Sequence, residues 1–176
     1  LAAWAAGRGV RGDGRPAVVV GAGLGADAAF LAGLGFATTA FDVSPSAVAE
    51  AGVRLAAAGR DDVTLEVADL LALPERWRGR FDLVVEVFTV QALPRGLREQ
   101  AVAAVVSLVA PGGTLLVVQG LAPADDDGAG PPWLLTREEM GWFARDGLSV
   151  VTSEVLPEGP GWPLQRAELH RPHRSG

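Results

Sequence analysis

The chain of 176 residues has no cysteine, lysine, tyrosine, asparagine or isoleucine. Without cysteine there is no disulfide framework, no thiolate zinc site and no cysteine nucleophile. All basic residues are Arg, scattered rather than clustered, and the net charge is −6. That balance argues against the basic patch or stripe with which phosphate backbones are usually bound, so no nucleic-acid partner is expected. The Arg-only usage reads as the codon bias of a GC-rich genome. No run approaches the roughly 20 apolar residues a membrane helix needs. Leu1 to Gly12 lack the apolar core of a signal peptide. The expectation is a cytoplasmic protein without membrane contact. The sequence does not open with Met, which leaves room for a preceding N-terminal segment.

What is present is an alternation of short apolar runs with Ala-rich stretches, the pattern of a parallel sheet covered by helices on both faces. Strands are predicted at Ala17–Val20, Phe36–Phe41, Val63–Val67, Phe81–Val87 and Thr114–Gln119. Asp27–Leu34 is predicted as a helix ended by Gly35. Ser44-Pro45 opens another, with Ser as N-cap, Pro in the first turn and Val48, Ala51 and Leu55 on one face. Pro94 starts a third, with the stripe Leu97, Ala101, Val105 and Leu108, and Pro111-Gly112-Gly113 turns the chain into the fifth strand. After the Ala122–Pro132 loop, Thr136 and Glu139 form a capping box for a helix carrying Met140 and Phe143. Leu148–Leu156 and Leu164–His170 are two closing strands joined by a turn rich in Gly and Pro. No repeat or linker divides the chain, so residues 1–176 are expected to form one doubly wound α/β domain.

The strongest local signal is Val18-Val19-Val20-Gly21-Ala22-Gly23-Leu24-Gly25, a strand running into a glycine turn and then a helix. Such a turn visits positive φ, lets a ligand approach the backbone and offers free N–H groups to an anion. Asp42 ends the next strand, where an acidic side chain can take both hydroxyls of an adenosine ribose. Its alternative role is a helix N-terminal Asp favoured by the dipole. The pair does not choose among adenosine ligands. With Ala26 at its last position the loop also satisfies the permissive G-x-G-x-x-G/A dinucleotide pattern, which keeps an NAD(P)-dependent oxidoreductase open.

Four further segments carry a resemblance. Val67-Ala68-Asp69-Leu70 resembles the acidic loop after the third strand of class I S-adenosylmethionine (SAM)-dependent methyltransferases. Phe81-Asp82-Leu83-Val84-Val85-Glu86 resembles their fourth strand, and Leu108-Val109-Ala110-Pro111-Gly112-Gly113-Thr114-Leu115 their approach to the fifth. The closing helix and two strands fit their reversed hairpin. The likeness covers nearly the whole chain in order. It implies a Rossmann-like seven-stranded sheet of order 3-2-1-4-5-7-6 with strand 7 antiparallel. Glu86 through Pro94 looks like the segment of thiopurine methyltransferase-like and tellurite-resistance-type enzymes. This chain has Glu86-Val87 where they commonly show Asp-Arg, so their substrates are not carried over. Methyltransferases usually have an acidic residue ending the first glycine motif; here Asp27 follows the turn.

The resemblance implies SAM as cofactor, S-adenosylhomocysteine as product and a small-molecule acceptor. Gly21, Ala22, Gly23 and Gly25 would admit the methionine part. Asp42 and Val43 would hold the ribose side, and Asp69 with the Leu70 N–H the adenine. Glu86 would bind the donor's ammonium group or serve as a catalytic base. Phe88, Thr89 and Gln91 would line the acceptor site, with Gln91 equally suited to capping the next helix. Trp133 would form an aromatic wall or simply pack. His170 and His173 lack a nearby acidic partner in sequence and are not assigned a catalytic role. Asp125-Asp126-Asp127, three carboxylates on a Gly-rich loop, are read as solvated, so no metal is expected. A reductase would need a Tyr-Lys pair or similar, and the chain has neither residue. A module that binds SAM without catalysis is the remaining alternative.

Overall fold

The computed structural model describes residues 1–123, 130–156 and 161–173. A seven-stranded sheet has the order β3-β2-β1-β4-β5-β7-β6. Its strands are β1 (Pro16–Val20), β2 (Ala37–Asp42), β3 (Thr64–Val67), β4 (Phe81–Val87), β5 (Val109–Gly120), β6 (Ser149–Leu156) and β7 (Leu164–His170). All neighbouring pairs are parallel except those of β7, which is antiparallel to both β5 and β6. This is the topology the resemblance implied. Helices α1 (Ala2–Arg8), α2 (Ala26–Gly33), α3 (Pro45–Ala57), α4 (Arg98–Leu108) and α5 (Arg137–Gly141) complete the layers.

The unbroken apolar run of β1 is explained by cover on both faces. Val18 and Val20 pack into one core with Val84, Val105, Leu108 and Phe143. Ala17 and Val19 face the other, with Ala28, Leu31, Val85 and Trp4. β6, at the sheet edge, is exposed along nearly its whole length.

Local chemistry fixes the helix starts. Ser44 Oγ accepts from the Ala47 amide at 3.3 Å, and Pro45 occupies the first helical position of α3. Thr136 and Glu139 form the reciprocal capping box of α5. That helix is shorter than its pattern suggested: it ends at Gly141, and Phe143 is buried beyond it.

Three other expectations change. Pro111-Gly112-Gly113 lies inside β5 rather than ahead of it, as an irregularity between the Phe81/Val109 and Leu83/Thr114 pairs. Gly112 adopts φ +80° there, a conformation glycine tolerates. Leu97 belongs to a 3-10 turn before α4 and is 37% exposed, so the stripe begins at Ala101. Finally, α1 was not predicted. Its Trp4 is buried and donates Nε1–H to Glu168 Oε2 at 2.9 Å, a tether across 164 positions.

Candidate functional site

The carboxyl ends of β1 to β4 converge on a cleft of about 410 Å³. This is where ligands of open α/β sheets bind. Gly21, Asp42, Val43, Asp69, Leu70, Phe88 and Thr89 all line it. Residues up to 68 positions apart in sequence are thus brought to one opening by strand order alone.

The glycine turn divides its work. Gly21, Gly23 and Gly25 have φ of +69°, +50° and +83°. A Cβ on Gly21 would lie 2.2 Å from Thr89 Oγ1. A Cβ on Gly23 would meet nothing within 4 Å, so that backbone is openly approachable. Gly25 instead lets α3 pack close, since its Cβ would lie 3.3 Å from Ala51 Cβ and Leu55 Cγ. Ala22 is turned into the second core, and its amide donates to Phe41 O at 2.7 Å.

Asp42 Oδ2 accepts from the Gly23 amide at 3.1 Å and Oδ1 from the Ser44 amide at 3.0 Å. The carboxylate therefore ties the glycine turn to the end of β2. Each oxygen has a further lone pair with which to accept from a ligand hydroxyl. Asp69 Oδ1 caps the following 3-10 turn by accepting from the Leu71 amide at 2.8 Å. Val43 is 67% exposed at the cleft rim. Asp27, in the first turn of α2, lies outside the cleft; burial raises its pKa.

Beyond β4 the chain doubles back through Phe88, which takes φ +63°. For a residue with a Cβ this conformation costs about 1–3 kcal/mol and persists only where the surroundings enforce it. Here Phe88 N–H donates to Val118 O at 3.0 Å and Thr89 Oγ1–H to Val20 O at 2.9 Å. Glu86 is fully buried and outside the cleft lining. Its Oε1 accepts from the amides of Thr89 and Val90, and its Oε2 from Gln119 Nε2. Burial pushes the carboxyl up to about 7, against the opposing pull of those donors.

Gln91 and Trp133 also stand apart from the cleft lining. Gln91 is buried, and its Oε1 accepts from the Gly120 amide at 2.6 Å. Its backbone carbonyl accepts from the Trp133 amide at 2.8 Å. Arg98 holds the same segment from α4, donating to the carbonyls of Trp133 and Leu134 and to Glu139 Oε1 at 2.8 Å. Sequence reasoning passed over Arg98, although an arginine among the apolar positions of a helix is a signal that its charge is paired.

His170, on β7, pairs with Thr114 of β5, and the His173 ring lies against Gly112; neither lines the cleft. No cluster of metal-ligating side chains occurs among the described residues, and Asp125-Asp126-Asp127 lie outside them. No described helix is long and apolar enough to cross a membrane. A second hollow, of about 430 Å³, lies at the opposite end of the sheet, between α1 and the amino ends of the parallel strands. Within it, both Trp4 and Arg8 are bonded to Glu168.

Several known proteins share this frame. The N-methyltransferase verN of Clonostachys rogersoniana is 32% identical over 101 residues, which is 57% of this chain and 33% of that protein. The match thus spans about a third of the length of that relative. The N-methyltransferase NodS of Bradyrhizobium japonicum WM9, solved with S-adenosylhomocysteine, superposes with TM-score 0.73 at 19% identity, over 90% of this chain and 79% of that one. The [4+2]-cyclase SpnF superposes with TM-score 0.79 at 17% identity, over 93% and 76%. At such identities the two structures establish the fold. The family profile described as methyltransferase domain matches residues 17–113, more than half of the sequence, and the chain belongs to that methyltransferase domain family.

Proposed function

We propose that the chain is a SAM-dependent methyltransferase acting on a small molecule. The observation that carries this reading is the meeting of Gly21, Asp42 and Asp69, from three separate strand ends, in one cleft. Its volume, about 410 Å³, falls within the roughly 300–1,000 Å³ typical of small-ligand sites. The residues present fit the cofactor. Asp42 has lone pairs free for ribose hydroxyls, Asp69 and the Leu70 N–H face an adenine edge, and Val43 covers a ring. The open backbone at Gly23 receives the methionine part. NodS, with S-adenosylhomocysteine bound on the same fold, supports the choice.

SAM supplies a sulfonium methyl that leaves by in-line displacement. The protein's part is to hold donor and acceptor in line and keep water out, which is worth about 7–11 kcal/mol where alignment is good. Val87, Phe88, Ala92 and Leu93 give the cleft an apolar wall, and among the described residues no basic side chain lines it. An uncharged or cationic acceptor suits this wall better than an anionic one. The same reading gives a cytoplasmic protein without nucleic-acid or membrane partners.

A second reading is a SAM-binding module that does not transfer methyl groups. SpnF, a cyclase on this fold, favours keeping it, because fold alone does not set the reaction. Incubation with methyl-labelled SAM and a panel of small amines, phenols and heteroaromatics separates the two. Label in a product, with S-adenosylhomocysteine formed one for one, is the expected result. Tight S-adenosylhomocysteine binding with no transfer across the panel would favour the second reading.

A further inference from the structure

Glu86 sits near the end of β4, yet it is completely buried and does not line the cleft. Both oxygens are engaged. Oε1 accepts from the Thr89 amide at 2.8 Å and the Val90 amide at 3.0 Å, while Oε2 accepts from Gln119 Nε2 on β5. We propose that Glu86 is the positioning residue of the cleft wall: an internal acceptor that folds the chain back after β4 through Phe88 and presses Thr89 against the glycine turn.

Three observations converge. The left-handed Phe88, at φ +63°, lies between Glu86 and the two amides it holds, so the Glu86 bonds close the very turn that strains Phe88. Thr89 fills the space a side chain on Gly21 would need and donates to Val20 O, which links the anchored loop to β1. Without Glu86 the Thr89 and Val90 amides would lose their acceptor, and buried amides seldom go without one. The loop is therefore set before any ligand arrives.

What this task needs is an acceptor oxygen, not a charge. Glutamine at position 86 can offer one oxygen to the two amides and its NH₂ to Gln119. The Gln119 amide can turn over to receive it, because Gln119 Oε1 has no partner among the described residues. A general base, or a partner for the donor's ammonium group, would instead need the carboxylate itself.

The experiment compares wild type, Glu86→Gln and Glu86→Met, the last filling the space without an acceptor. Amide hydrogen exchange at residues 88–90 is read without ligand, and S-adenosylhomocysteine affinity by calorimetry. The ligand arm rests on the cofactor reading above; the exchange arm does not. Glu86→Met is expected to exchange at Thr89 and Val90 at least about tenfold faster, with Val84 unchanged, and to bind at least about tenfold more weakly. Glu86→Gln is expected to stay within about threefold of wild type on both. Glu86→Gln falling as far as Glu86→Met, or Glu86→Met exchanging like wild type, would overturn the proposal. Should Glu86→Met not fold, Glu86→Gln decides: retained protection at both amides supports the anchor, and its loss overturns it. If wild type bound no S-adenosylhomocysteine while the exchange pattern held, the cofactor reading would fail and the anchor would stand.

Discussion

Thr89 occupies the place where Gly21 would carry a side chain: a Cβ there would lie 2.2 Å from Thr89 Oγ1 and 3.0 Å from Thr89 Cγ2. The first glycine of the turn is thus required by the protein itself, before any ligand is considered. Gly21→Ala meets two costs, a strained φ of +69° and overpacking against Thr89. Together they should destabilise by about 2–4 kcal/mol. Denaturant unfolding would show this as a lowered midpoint, and adding Thr89→Ala should recover the overpacking part alone. An unchanged midpoint in Gly21→Ala would contradict the contact.

Arg98 is completely buried, and its ion pair with Glu139 joins α4 to the segment carrying Trp133. Arg98→Ala leaves Glu139 unpaired and two carbonyls without their donor. Loss of one partner of a buried pair typically costs about 3–5 kcal/mol. A thermal or denaturant unfolding curve should move accordingly, whereas the exposed pair of Glu50 and Arg54 should move it by less than about 1 kcal/mol when broken.

The buried Glu86 gives stability a pH slope of defined sign. Its carboxyl is raised from 4.5 to about 7 by burial, so the folded protein keeps the proton to higher pH than the unfolded chain. The groups facing it are the Thr89 and Val90 amides and the Gln119 side chain, none of them charged. The contribution is complete below pH 4.5, falls as pH rises to about 7, and is flat beyond. The span corresponds to about 3 kcal/mol. Unfolding free energies of wild type minus Glu86→Gln across pH 4–8 should trace that fall; a flat difference would contradict it.

The proposed function gives Asp69 the adenine amino group to hold. If so, wild type should prefer S-adenosylhomocysteine over the inosine analogue, whose carbonyl faces the carboxylate. One lost charge-assisted bond predicts a preference of about 10- to 100-fold. Asp69→Ala should bring the two affinities together. Equal affinities already in wild type would assign Asp69 to capping its own 3-10 turn and nothing more.

What could be read from the sequence was local. The β1–glycine–α2 passage, the Ser44 cap and the Thr136/Glu139 box depend on residues within a few positions of one another, and α4 keeps its helical period from Ala101 onward. Asp42 and Asp69 came from motif position, and parallel pairing then puts them beside Gly21. What could not be read depends on distant partners. α1 is tied down by distant partners: Trp4 packs into the second core and bonds Glu168, as Arg8 also does. Glu86 looked like site chemistry because its chain position suits a base, and nothing nearby announces Gln119 as its partner. For Gln91 and Trp133 the sequence leaves an acceptor-site and a scaffold role both open, because nothing local announces the Gly120 amide and Arg98 as their partners. Gly25 resembled a ligand glycine and serves the packing of α3.

The measurement that bears most directly on the central claim is calorimetric titration of wild type and Asp42→Ala with S-adenosylhomocysteine, with NADH titrated in parallel. The predicted result is S-adenosylhomocysteine binding in the micromolar range, weakened at least about tenfold by Asp42→Ala, with NADH silent. NADH binding with S-adenosylhomocysteine silent would contradict the account and return the glycine turn to a dinucleotide.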